Sequence, residues 1–209
     1  MKKSTLLVAC EFSGVVREVF NACGWDAWSC DLLPTEQPGQ HYEGDVLEII
    51  NNPGLVGIDQ WDMMIAHPPC TYLSSSGLHW NKRQPERAAK TELALEFVAN
   101  LWNAPIEKIC IENPVGCINT RLPFMPKPQY IQPYEFGEDA SKKTGLWLKN
   151  LPPLEPTDYI EPRYVDGKPR WANQSDKGQS RLGGGKGKER SVTYEGIAIA
   201  MGEQWSGYT

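Results

Sequence analysis

The sequence has no apolar run long enough to cross a membrane or to form the core of a signal peptide. The first such run, Leu6 to Ala9, is ended by Glu11, whereas a membrane-spanning helix needs about 20 residues. A soluble, cytoplasmic protein without a membrane partner is expected. Cysteine occurs at 10, 23, 30, 70, 110 and 117, with no paired C-x-x-C pattern. Five of the six lie in or beside apolar segments, where a free thiol behaves as a small buried hydrophobe, so neither a metal site nor a disulfide framework is expected. Positive charge is not in excess, and a net charge of -5 argues against a protein that coats nucleic acid indiscriminately. The dinucleotide fingerprint G-x-G-x-x-G is missing too. The turn Glu11-Phe12-Ser13-Gly14 has one glycine, which permits close backbone approach and no more.

What is present is an alternation of strand and helix patterns. At 209 residues and 40% hydrophobic, the chain fills one substantial core and not two, which predicts a single domain over 1–209. Thr5 to Cys10 reads as a strand, followed by the turn at Glu11 and a helix through Val15, Val16, Val19 and Phe20 that closes near Gly24. Trp25 to Leu32 and Trp61 to Ala66 read as further strands, and Gly44-Asp45 opens a short apolar element, Val46 to Ile50. The longest predicted helix, Pro85 to Trp102, carries Ala88, Leu93, Leu95, Phe97, Val98 and Leu101 as its apolar face and feeds the strand Lys108 to Ile111. Repeated strand-helix units predict an α/β fold with a mainly parallel sheet covered on both faces.

Beyond that point the pattern changes. Tyr130 to Phe136 and Gly145 to Leu148 predict an antiparallel pair joined through Gly137 to Thr144. Residues 152–190 are rich in proline, glycine and charge, with Gly183-Gly184-Gly185 as the most flexible point, and predict a long loop over the site. Between 160 and 190 this loop holds Arg163, Lys168, Arg170, Lys177, Arg181, Lys186, Lys188 and Arg190 against Glu161, Asp166, Asp176 and Glu189. It either meets phosphates or is a solvated loop. A final helix, Thr193 to Glu203, is predicted with Ser191 or Thr193 as its cap and Ile197, Ala198, Ala200 and Met201 inward.

In parallel sheets ligands bind outside the carboxyl ends of the strands, and Glu11, Asp31, Cys70 and Glu112 all fall at such ends. Pro68-Pro69 ahead of Cys70 stiffens the turn, because each proline fixes its own φ and restricts its predecessor. A thiol held in this way suits a nucleophile, although a cysteine after a strand is also commonly inert. Glu112-Asn113-Pro114 ends the neighbouring strand. A carboxyl group buried there can have a raised pKa and donate a proton, or it can bond to backbone amides at the turn. Asp31 suits ribose hydroxyls and Asp45 an adenine amino group, while each also suits a turn or a helix cap.

Taken together and in order, these segments resemble the cytosine 5-methyltransferases, over residues 5 to 148. Phe12-Ser13-Gly14 before an apolar helix looks like the family's first cofactor motif, Asp31 matches its acidic ribose ligand, and Gly44-Asp45 resembles its adenine contact. Pro68-Pro69-Cys70 matches the nucleophile motif, and Glu112-Asn113-Pro114 the motif that holds the cytosine edge. Tyr134 to Leu148 is similar to the segment in which an arginine pair supports the pocket, with Lys142 and Lys143 in its place, and Gly196-Ile197-Ala198 resembles the last cofactor motif. No long segment follows Lys142-Lys143 to form a target-recognition domain. The 152–190 loop or a partner subunit would have to supply that recognition.

The resemblance implies a Rossmann-like S-adenosylmethionine-dependent methyltransferase acting on carbon 5 of cytosine in duplex DNA. Phe12, Ser13, Gly14, Asp31, Asp45 and Pro68 would bind the cofactor, and Pro69, Asn113, Pro114, Lys142 and Lys143 would line the cytosine site. A thiolate at Cys70 would add to carbon 6 while Glu112 protonates or hydrogen-bonds nitrogen 3, splitting one hard step into easier ones. Tyr72, His79 and Trp80, after Cys70, would close over a flipped base or merely anchor their loop. Two other readings remain open. One is methylation of a free cytosine nucleotide or of single-stranded nucleic acid. The other is a non-catalytic binder of DNA or cofactor, for which Cys70 and Glu112 would have no use.

Overall fold

Strand β1 (Thr5–Ala9) consists of five residues that are all buried, the pattern of a strand covered on both faces. Leu6 and Val8 enter one core and Leu7 and Ala9 the other, as the two-residue side-chain period requires. Around β1, the computed structural model, which describes residues 3–181 and 192–208, sets out β2 (Asp26–Asp31), β3 (His41–Glu43), β4 (Met63–Ala66), β5 (Lys108–Pro114), β6 (Gln129–Ile131) and β7 (Thr144–Lys149). They form one seven-stranded sheet in the order β3-β2-β1-β4-β5-β7-β6. The pairs among β1 to β5 are parallel, and β7 runs antiparallel to both β5 and β6. The expected Rossmann-like α/β class, with its antiparallel hairpin, is the one observed.

The described helices are α1 (Val15–Ala22), α2 (Val46–Asn51), α3 (Ser75–Leu78), α4 (Pro85–Trp102), α5 (Ile118–Arg121) and α6 (Glu195–Trp205). On one face Val16 and Phe20 of α1 pack with Ile197, Ala198, Met201 and Trp205 of α6. On the other, Val46 and Ile49 of α2 pack with Leu95, Val98 and Leu101 of α4. Each such buried side chain stabilises the fold by about 1.5–3 kcal/mol relative to exposure. Gly202 lets α6 approach α1, since a Cβ there would lie 2.4 Å from Cγ1 of Val19. Trp205 is fully buried, and its indole Nε1 donates to the Pro152 carbonyl at 3.2 Å.

Several expectations need correction. Leu93 is 64% exposed and α4 buries Thr91 instead, because two residues along a helix turn by about 200° and set Leu93 opposite Leu95. The strand at 129 stops at Ile131, and Pro133–Glu135 form a 3-10 turn. Pro133 has no N–H for a ladder, and Glu135 Oε2 accepts the Gln132 N–H at 2.6 Å instead. The last helix starts at Glu195 after Tyr194 with no side-chain cap, so Thr193 does not cap it, and Ser191 lies outside the described residues.

The predicted loop also contains structure. Arg163–Val165 (β8) and Lys168–Arg170 (β9) form a hairpin around Asp166-Gly167, whose φ values of 50° and 71° are those of a type I′ turn. Trp171 behind it stacks on Tyr134 at 4.2 Å. Gly183-Gly184-Gly185 and Lys186, Lys188 and Arg190 lie outside the described residues. No described helix is long and apolar enough to cross a membrane.

Candidate active site

The sheet order reverses at β1, between β2 and β4, and such a switch point leaves a crevice beyond the strand ends. A pocket of about 360 Å³ lies there, walled by Asp31, Asp45, Pro68 and Pro69 with apolar surface from Val46, Ala94 and Phe97. Cys10 contributes from the end of β1, held at a φ of 59°, a conformation that persists in a non-glycine residue only where its surroundings impose it. Asp31 Oδ1 accepts the Leu33 N–H at 3.0 Å, and Asp45 Oδ1 caps α2 by accepting the Leu47 N–H at 2.9 Å. The turn and cap roles are therefore real, yet both side chains also line the pocket, and a carboxylate has acceptor capacity beyond one such bond.

Phe12, Ser13 and Gly14 are buried and do not form the walls of this pocket. Gly14 has a φ of 77°, and a Cβ there would meet the guanidinium of Arg17 at 2.7 Å. Glu11 is a cap in this structure, with Oε1 accepting the Val16 N–H at 2.8 Å and the Ser13 hydroxyl at 3.2 Å. Burial pushes the Glu11 carboxyl above its ordinary pKa, partly offset by His67 and by these bonds. Arg17, absent from the sequence reading, is fully buried and donates to Ser29 Oγ at 2.8 Å and to the Gln37 and Pro38 carbonyls at 2.8 and 3.2 Å. It clips the 33–40 loop to α1. An arginine inside an apolar helix pattern was the available signal.

On the other side of the crevice, Cys70 begins a 3-10 turn, Cys70–Tyr72, and is exposed. Its carbonyl accepts the Leu73 and Ser74 N–H groups at 3.0 and 2.9 Å. The segment after β5 is stitched to this turn: Asn113 Nδ2 donates to the Pro68 carbonyl at 2.7 Å, Ser75 N to Val115 O and Cys117 N to Leu73 O, both at 2.9 Å. The Pro68-Pro69-Cys70 and Glu112-Asn113-Pro114 segments thus leave adjacent parallel strands and remain joined. Tyr72 anchors its loop, with Thr91 Oγ1 donating to its carbonyl at 3.0 Å and the Arg87 guanidinium 4.9 Å from its ring centre. Trp80 is 44% exposed beside His79.

Glu112 departs from the expected raised pKa. Burial alone would push its carboxyl up, but the hydrogen bond from His67, the Lys142 charge and the Thr144 hydroxyl outweigh this and hold it below its ordinary value. His67 Nδ1 stands 3.3 Å from Glu112 Oε2. The two lysines separate. Lys142 acts on Glu112, whereas Lys143 Nζ lies 4.5 Å over the Tyr130 ring. The basic residues of the described loop are largely engaged within it: Arg163 pairs with Asp176 at 2.8 Å, and Arg170 and Arg181 donate to the Asp176 and Gln174 carbonyls.

No protein-family model and no curated protein matches the sequence. Among solved structures, the chain is similar to a protein described as a DNA modification methyltransferase encoded within an E. coli prophage, at a TM-score of 0.50 and 13% identity over 79% of this chain and 54% of that one. It is also similar to the Entamoeba histolytica methyltransferase EhMeth, with a TM-score of 0.48 and 15% identity over 77% of this chain and 59% of that one. For a mutant of Spodoptera frugiperda DNMT2 the TM-score is 0.42, at 12% identity over 80% of this chain and 57% of that one. The chain therefore spans little more than half the length of the proteins it matches. At such identity the first likeness is one of fold alone, a Rossmann-like α/β fold.

Proposed function

We propose that this chain is an S-adenosylmethionine-dependent methyltransferase, one domain over 1–209, that acts on carbon 5 of cytosine in duplex DNA through a covalent adduct at Cys70. The observation that carries the reading is a continuous site: Asp31 and Asp45 share one pocket with Pro68-Pro69, which leads into Cys70 beyond the strand that neighbours β5, the strand that carries Glu112. The walls suit the cofactor chemically. Asp31 would accept the ribose hydroxyls and Asp45 the adenine amino group, with Val46, Ala94 and Phe97 against the ring. The bound cofactor supplies an electrophilic methyl group on a cationic sulfur. Phe12, Ser13 and Gly14 do not wall the pocket and act by shaping the turn.

On this reading the Cys70 thiolate forms a bond to carbon 6, and the displaced electron pair makes carbon 5 nucleophilic. Glu112, held as a carboxylate by His67 and Lys142, accepts a hydrogen bond from the cytosine amino group, and as the electron pair moves into the ring nitrogen 3 takes up a proton from solvent, which the carboxylate then holds. Once carbon 5 carries the methyl group, its proton and the one on nitrogen 3 pass to solvent and the thiolate is expelled, which restores the neutral ring. Asn113 fixes Pro68 and so the path of the nucleophile turn, while Pro69 and Pro114 bound the cytosine site and Lys142 supplies positive charge. Lys143, turned to Tyr130, takes no part.

Asp31→Ala is expected to weaken S-adenosylmethionine binding by more than about 1 kcal/mol, because it removes charge-assisted hydrogen bonds. Unchanged affinity in a calorimetric titration would remove Asp31 from the ribose site. The overall reading is tested by the 5-methylcytosine content of DNA from methylation-deficient cells that express the chain. A second reading, transfer to a free cytosine nucleotide or to single-stranded nucleic acid, is favoured by the engaged arginines of the 160–181 segment and by the net charge of -5. Label transfer to duplex DNA, single strands and deoxycytidine nucleotide separates the two. Transfer to duplex DNA only after addition of a second protein would assign target recognition to a partner subunit, and cofactor binding without any transfer would mark a binder.

A further inference from the structure

His67 stands between the end of β4 and Pro68, and the chemistry above uses it only for its effect on the charge of Glu112. Its backbone N–H donates to the Ala9 carbonyl at 2.9 Å, and its side chain is 6% exposed. Nδ1 faces Glu112 Oε2 at 3.3 Å, while Nε2 is buried with no hydrogen-bond partner among the described residues. The imidazole also lowers the pKa of Glu11, the cap of α1, through its charge. A buried nitrogen left unpaired is costly, by about 1–3 kcal/mol, and an apolar side chain would avoid that cost. The position thus has a use for the imidazole that packing does not supply.

We propose that His67 is a positioning residue: it holds Oε2 of Glu112 so that Oε1 faces the ligand, and its backbone bond to the Ala9 carbonyl ties this carboxyl group to the end of β1. A glutamate has three side-chain torsions, and an unanchored carboxyl group samples several of them. A misplacement of about 1 Å at a reacting site can lower the rate by about 100-fold. The groups facing Glu112 are His67 from the β4 turn, Lys142 from the segment before β7, Thr144 at the start of β7, and Cys110 from β5 itself. Those facing His67 are Glu11 and Glu112.

The inference rests on the cytosine reading only for its activity arm, so it is tested in two ways on the full chain. Glu112 carboxyl titration, followed by carbon-13 NMR, is compared in the parent, His67→Gln and His67→Asn. An asparagine amide takes the place of Nδ1, whereas a glutamine amide reaches toward Nε2. Loss of the donor removes one of the influences that lower the carboxyl pKa, so His67→Gln should raise its midpoint by about one pH unit, with most of the rise reversed in His67→Asn. In label transfer to cytosine DNA, His67→Gln should lower kcat by about 10- to 100-fold with KM for S-adenosylmethionine within about twofold, and His67→Asn should recover most of it. An identical Glu112 midpoint in all three proteins overturns the role whether or not the chain methylates. Equal kcat in the parent and both variants does so as well. A parent that transfers no methyl group sinks the cytosine reading instead, and the NMR comparison then decides His67 alone.

Discussion

Cys70→Ala is expected to abolish methyl transfer while leaving the affinity for S-adenosylmethionine within about twofold of the parent. The cofactor pocket is walled by Asp31, Asp45, Pro68, Pro69 and neighbours and not by Cys70, and the turn at Cys70 is held by its backbone carbonyl, which alanine retains. The residue is exposed, and a surface substitution of this kind changes stability by no more than about 0.5 kcal/mol. What disappears is the atom that would bond to carbon 6. Unactivated cytosine is a poor carbon nucleophile, so removing covalent help costs the whole accessible rate. The measurement is 5-methylcytosine in digested cellular DNA for parent and variant, with cofactor affinity determined on the same proteins. A variant that methylates at the parent's rate would rule out Cys70 as the nucleophile; one that loses cofactor binding in parallel would make Cys70 structural.

The residues legible in the sequence were those whose signal is local. β1, β4 and the first half of β5 are apolar runs bounded by turn residues, and buried parallel strands must look like that. β3 was not legible because His41-Tyr42-Glu43 is a short polar edge strand, and it pairs through its backbone, with Ser29 set opposite His41. The Asp166-Gly167 hairpin was readable from its turn residues but lay in a segment dominated by proline, glycine and charge. Asp31 and Asp45 were legible as residues at a strand end and a helix start, and the structure gives each a backbone bond as well as a place in the pocket wall. The acidity of Glu112 could not be read in the same way. It depends on His67, 45 residues earlier, and on Lys142 across the sheet, so its sign is set by tertiary neighbours that oppose the burial visible from the strand pattern. His67 escaped for the same reason: its meaning lies in two carboxyl groups that the fold brings to it.

Gly116→Ala should be the most damaging single-methyl change near the site. The φ of Gly116 is not in the left-handed region, so the objection to alanine is steric: its Cβ would lie 2.0 Å from the Leu73 carbonyl oxygen and 2.8 Å from the carbonyl carbon. Those are backbone atoms that no rotamer change can move, and Leu73 is itself buried in the core. The same carbonyl accepts the Cys117 N–H, and Ser74 bridges Gly116, so relief of the clash must separate the Cys70 turn from the segment that follows Glu112. Overpacking of this kind costs about 3 kcal/mol, which for a chain of this size lowers Tm by about 6–12 °C. If the two segments part by even 1 Å, methyl transfer should fall by about 100-fold in the protein that remains folded, while S-adenosylmethionine affinity, which the proposed function assigns to Asp31 and Asp45, should change several-fold at most. Gly207→Ala is the control, since a Cβ there meets nothing within 4 Å. If Gly116→Ala melts with Gly207→Ala and retains the parent's transfer rate, the contact between the two segments does not hold the nucleophile turn, and the thiol and the carboxyl group are positioned independently.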